Sequence, residues 1–81
     1  MINSDIDLLT PRERECGIWL ILGKTAEETA AILGLSRRTV EDHLASMKVK
    51  LGCNNKVQLA VLLLSRGLDV KKSSSIIDKT G

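Results

Sequence analysis

The stretch LGLSRRTVEDHL, residues 33–44, gathers most of the side chains in this chain that could act on a partner. Arg37 and Arg38 offer charged donors, which suit phosphate oxygens, and His43 stands near them. Glu41 and Asp42 follow closely on this basic run, and an ionised carboxylate is an acceptor only. Three roles are open to acid at this place. It can accept a hydrogen bond from the amino group of cytosine. It can repel DNA and leave the surface to a protein partner. It can also pair locally, as Asp42 would with Arg38 four residues earlier, for a few tenths of a kcal/mol.

Catalytic chemistry finds no support elsewhere in the chain. There is no paired-carboxylate cleft, no Ser or Cys with a base and an orienter, and no glycine-rich phosphate loop. Glu13, Glu15, Glu27 and Glu28 fall where helix caps and solvated helix faces explain them. Cys16 and Cys53 lack metal-site spacing, and His43 does not complete a ligand set. Cys16 lies in an apolar run and is expected as a buried, reduced thiol; one disulfide between the two cysteines stays open. The chain is expected to be no enzyme and to carry no cofactor or metal.

The bulk numbers narrow the class further. A chain of 81 residues makes one small domain, marginal on its own. Trp19 is the only aromatic residue, so Leu, Ile, Val and Ala must build the core. A net charge of +2 permits a nucleic-acid partner without demanding one. The N-terminal MINSDIDLLT is no signal peptide, and GIWLILG and VQLAVLLL are too short to cross a bilayer. A soluble, cytoplasmic protein with no membrane partner is expected.

Helix punctuation recurs along the chain. Thr10-Pro11-Arg12-Glu13 and Thr25-Ala26-Glu27-Glu28 are capping boxes, the first with proline at the first helical position. Ser36 and Asn55 are further N-caps, and Gln58 follows Asn55 at the third position. Gly23, Gly34, Gly52 and Gly67 each close a run of helix formers. The spacing predicts an all-α, four-helix bundle with helices at about 11–22, 26–33, 37–51 and 56–66. The domain is assigned to residues 1–68. Residues 69–81, DVKKSSSIIDKTG, are expected to be a polar, flexible tail, with Ile76 and Ile77 as the alternative, a docking pair.

Two helices bear the candidate contacts. In the third, Val40, Leu44, Met47 and Leu51 recur at intervals of four, three and four, one apolar stripe destined for the core. The second helix, a turn at Gly34 and Leu35, the Ser36 cap and Val40 between the two helices form a helix-turn-helix, with Ala30 small at the close approach. Such a motif places its second helix in the major groove by its N-terminal part. The fourth helix is apolar nearly all round, more than one buried face requires. A second copy is the simplest cover for the surplus.

The sequence resembles the DNA-binding domain of the LuxR/FixJ (GerE-type) family of bacterial transcription regulators over roughly residues 8–68. The matching residues are Leu9-Thr10-Pro11-Arg12-Glu13-Arg14-Glu15, Gly23-Lys24-Thr25, Glu28, Ala30, Leu33-Gly34, Ser36, Thr39-Val40, His43-Leu44, Lys50-Leu51-Gly52 and Gln58. Glu15, Cys16 and Trp19, with the GKTA segment, look most like the quorum-sensing branch. The ligand-binding or receiver domain usual in longer relatives has no counterpart in the sequence. The chain is therefore expected to be either a stand-alone regulator or a domain from a longer one.

The resemblance and the residue types together nominate a site. Arg37, Glu41, Asp42 and Ala45 are expected to face bases. Thr25, Ser36, Arg38, Thr39, His43, Lys48, Lys50 and Lys56 are expected at phosphates. Val57, Val61 and Leu64 are expected to form a twofold dimer seam on double-stranded DNA. Departures from the family pattern weaken the electrostatic attraction: Glu41 stands where many relatives are basic, and Val49 where arginine is common. Thr29 replaces an isoleucine. Gly17 replaces a leucine within the first helix, at a cost of roughly 1 kcal/mol in helix propensity. The expected function is sequence-specific transcriptional regulation. The alternative is an interaction module that pairs with a longer LuxR-type regulator and inhibits it.

Overall fold

In a computed structural model, residues 5–68 are described. They form a short 3-10 turn, Asp5–Leu8, and four helices: α1 (Pro11–Ile21), α2 (Ala26–Leu33), α3 (Arg37–Leu51) and α4 (Lys56–Ser65). No strand occurs among the described residues. The expectations for residues 69–81, including Ile76 and Ile77, lie outside the described residues. The turn at Asp5–Leu8 is an addition to the sequence expectation, and it leads Leu9 into the core.

Each helix starts on the cap its sequence supplies. Thr10 and Thr25 accept from the backbone N–H of Glu13 and Glu28, and those glutamates accept in return from the cap N–H groups. The Thr25 backbone N–H is the main reason the Glu28 carboxyl sits below its ordinary pKa. Ser36 and Asn55 accept from Thr39 and Gln58. Gln58 also closes back on the backbone N–H of Asn54 at 2.9 Å. The turn after α2 is fixed by Gly34, whose φ of +72° is the left-handed conformation that a side chain would strain. From there the Leu35 N–H reaches back to the Ala30 carbonyl at 2.9 Å.

The core is aliphatic, as the near-absence of aromatics requires. Val40, Met47, Leu59 and Leu63 are sealed from solvent, with Leu44 and Leu51 beside them. All four members of the α3 stripe are therefore inward. Cys16 and Cys53 are buried free thiols, so the open disulfide does not form. Burial, and next the charge of Glu15, push the Cys16 thiol up to about 11, which leaves it protonated and unreactive at neutral pH. Thr29 is also buried, a polar side chain inside α2 where the family pattern has isoleucine.

Gly17 has a packing reason that helix propensity alone hides. A Cβ there would lie 2.8 Å from Leu63 Cδ1 and 3.3 Å from Leu68 Cδ2. The glycine lets α1 approach α4 and Leu68, three residues beyond its end. Gly17→Leu should therefore destabilise the fold despite leucine's better helix propensity. A loss of about 1–3 kcal/mol is expected from overpacking, or roughly 5–20 °C in Tm for a domain of this size. Thermal unfolding followed by circular dichroism checks this, and an unchanged or raised Tm would contradict the close approach.

Candidate DNA-binding surface

Because the α3 stripe faces inward, the opposite side of α3 is covered by no other element among the described residues. Arg38, Asp42, Ala45 and Val49 are all exposed, and Val49 is 82% exposed. Two flanks border this face at helical spacing. Arg37, Glu41 and Lys48 share one flank. Thr39, His43, Ser46 and Lys50 share the other. Thr39 and His43 are half-buried, and the Thr39 hydroxyl lies 2.9 Å from the Ser36 hydroxyl.

The first turn of α3 is electrostatically unlike those of α1 and α2. The latter carry acid in their first turns, Glu13 in α1 and Glu27 and Glu28 in α2. That acid complements the positive end of the helix dipole. Arg37 and Arg38 open α3, and no acid accompanies them in that turn. Two cations at a helix N-terminus oppose the dipole, so helix stability does not account for them.

Of the two acids that follow, Glu41 is engaged. Arg37 Nε donates to Glu41 Oε2 at 3.2 Å, and both side chains are largely exposed. The pairing differs from the one the sequence suggested, between Arg38 and Asp42. Both pairs are four residues apart, and spacing alone does not choose between them. Arg37 and Glu41 also line a shallow hollow of about 200 Å³ together with Thr25, Ala26, Glu27 and Lys56. Residues from the starts of α2, α3 and α4 thus meet at one place, and four of them, Thr25, Arg37, Glu41 and Lys56, are among the nominated phosphate and base contacts.

Lys50 is placed elsewhere. Its Nζ donates to Glu13 Oε1 at 2.8 Å and to the Leu8 carbonyl at 3.1 Å, which ties the C-terminal end of α3 to α1. Glu13 is only 4% exposed, so it is neither a plain capping residue nor part of a solvated face, as its sequence context suggested. Burial raises its pKa. The Lys50 ammonium, the Thr10 N–H and the Ser46 hydroxyl outweigh burial and hold the carboxyl below its ordinary value of 4.5. No local signal connects residues 13 and 50, which lie 37 apart in the chain.

The exposed side of α4 is apolar. Val57, Val61 and Leu64 are 74%, 58% and 54% exposed, on the side opposite the buried Leu59 and Leu63. Val57 and Val61 also border a groove with Gly52, Cys53, Gln58 and Leu62. No helix among the described residues is long and apolar enough to cross a membrane.

An exposed α3 face opened by two arginines, on a helix-turn-helix of this geometry, defines a class that the comparisons identify. Residues 7–63 match the family described as "Bacterial regulatory proteins, luxR family", and the chain belongs to that family. It groups with transcriptional regulators, not with enzymes. It is similar to the HTH-type quorum sensing-dependent transcriptional regulator VjbR of Brucella ovis, 44% identical over 66 residues, covering 82% of this chain and 26% of that protein. The transcriptional activator protein SolR of Ralstonia solanacearum is 46% identical over 61 residues, covering 75% of this chain and 26% of SolR. Among solved structures, the Vibrio cholerae VqmA dimer matches with a TM-score of 0.71 at 40% identity, over 74% of this chain and 27% of that one. A VqmA complex with ligand and DNA also matches with a TM-score of 0.71 at 40% identity, over 74% of this chain and 26% of that one. The chain thus spans about a quarter of the length of these relatives.

The Glu13–Lys50 ion pair yields a pH prediction. A carboxyl with a lowered folded pKa contributes stability that is fully present above its unfolded value and is lost as pH falls through the folded one. Glu13→Gln should therefore be less stable than wild type at neutral pH, by roughly 1–3 kcal/mol once the partial exposure of Lys50 is allowed for. The difference should shrink below pH 4.5. Urea unfolding at pH 7 and pH 3.5 checks this, and a difference that is independent of pH would contradict the role given to the charge.

Proposed function

We propose that the chain is a sequence-specific DNA-binding regulator of transcription that acts as a homodimer in the bacterial cytoplasm. The N-terminal half of α3 lies in the major groove, and α4 pairs with its copy. The observation that carries this is the first half of α3, opened against its own dipole by Arg37 and Arg38 and turned outward by the buried stripe behind it. The groove side is assigned to Arg37, Glu41, Asp42 and Ala45. Phosphate contacts are assigned to Thr25, Ser36, Arg38, Thr39, His43, Lys48 and Lys56. Lys50 is left out of the phosphate set because its ammonium holds Glu13 and the Leu8 carbonyl. The names of the relatives support DNA-linked regulation in quorum sensing.

The exposed apolar face of α4 favours a second reading as well. A heteromeric partner, such as a longer LuxR-type regulator, could cover Val57, Val61 and Leu64 as a second copy would, and the chain would then act by inhibition. DNA binding distinguishes the two. With about six to ten phosphate contacts per dimer, affinity for a selected duplex should fall roughly 10³- to 10⁵-fold between about 50 and 200 mM salt. A flat salt response in fluorescence anisotropy would favour the interaction module.

The dimer has its own test. Val61→Glu would place a charge in a dry seam, where an unpaired charge is costly to bury. Because Val61 is 58% exposed in the single chain, the fold should survive while the dimer dissociates. Sedimentation with circular dichroism reads both. A Val61→Glu dimer of wild-type mass, or an unfolded chain, would contradict this assignment.

A further inference from the structure

Resting on the proposed placement of α3 in the major groove, we infer that Arg37 and Glu41 form one base-reading unit. In this unit Glu41 is a positioning residue that presents the outer edge of the Arg37 guanidinium to guanine.

The geometry supplies the division of labour. The guanidinium is a planar fork of five N–H donors. Glu41 Oε2 takes the Nε–H at 3.2 Å, which leaves the terminal amino groups for a ligand. In the major groove guanine displays two adjacent acceptors, O6 and N7, which two parallel donors fit. Arg37 is the first residue of α3, the end that enters the groove in this motif.

Charge separates this role from phosphate binding. The pair carries no net charge, so it adds little to the counterion release that dominates phosphate affinity. What it offers is directional. Nor is the pair explained as support for the helix. It is exposed, where such contacts contribute little, the arginine opposes the dipole, and Arg before Glu is the weaker order at this spacing. Lys56 and Thr25, in the same hollow, remain for phosphate, while Glu27 adds acid at the rim. Two acids and two cations there leave no excess positive charge to draw Arg37 onto a phosphate.

The inference differs from direct reading of cytosine by Glu41, and variants separate the two. The duplex selected by the wild-type chain from a random pool serves as probe, with every base pair substituted in turn. Arg37→Ala and Glu41→Ala should each lose about tenfold discrimination at the same G·C pair, and the double variant should lose no more than Arg37→Ala. Glu41→Gln keeps an oxygen for Nε, so it should keep the base preference while binding all sequences more tightly. The salt slope of the double variant should equal that of wild type. The inference is overturned if Glu41→Ala changes preference at a different base pair from Arg37→Ala, or tightens binding everywhere without changing preference. A wild-type chain that selects no sequence overturns the proposed function itself, and this inference with it.

Discussion

The burial of Val40, Leu44, Met47 and Leu51 against α1, α2 and α4 fixes how α3 is turned about its own axis, and the rest of the surface depends on that rotation. A helix that seals Val40 and Met47 from water cannot turn by even one residue without exposing apolar area and burying charge. Each of those side chains contributes roughly 1.5–3 kcal/mol when fully buried. Exposed pairs such as Arg37 with Glu41 contribute a few tenths. The core therefore sets the orientation of the charged face, and the charges only decorate it.

Two struts hold α3 along its length. At its start, Gly34 and the Ser36 cap join it tightly to α2, with Leu35 bonded back to Ala30. At its end, Lys50 spans to Glu13 and the Leu8 carbonyl, and the Gly52 N–H returns to the carbonyls of Lys48 and Val49. Held at both ends, α3 presents Arg37 through Ala45 with little freedom to adapt. Preorganisation of this kind lowers the ordering cost of binding.

Much of this was legible because it is local. Thr10, Thr25, Ser36 and Asn55 announce helix starts by chemistry confined to one turn, and the glycines announce stops the same way. The inward stripe of α3 follows from helical period alone, whereas α4 is apolar nearly all round and its outward row, Val57, Val61 and Leu64, needed the family resemblance as well. What was hidden is non-local. Nothing near Lys50 in the sequence indicates that a carboxylate from α1 waits beside it, so its charge looked available for phosphate. Gly17 looked like a weak helix position until Leu63 and Leu68 were seen to fill the space of its missing side chain. The choice of Arg37 and Glu41 over Arg38 and Asp42 needs side-chain positions, which spacing does not supply.

The central claim is that α3 meets DNA through its N-terminal outward face while its C-terminal end stays bonded to α1. An NMR titration of the labelled chain with its selected duplex tests this most directly. The amide signals of residues 36–45, with Thr25 and Lys56, should shift most, and the Lys50 ammonium should keep its contact with Glu13. Shifts confined to α4, or a Lys50 that leaves Glu13 for the duplex while residues 36–45 stay still, would contradict the account.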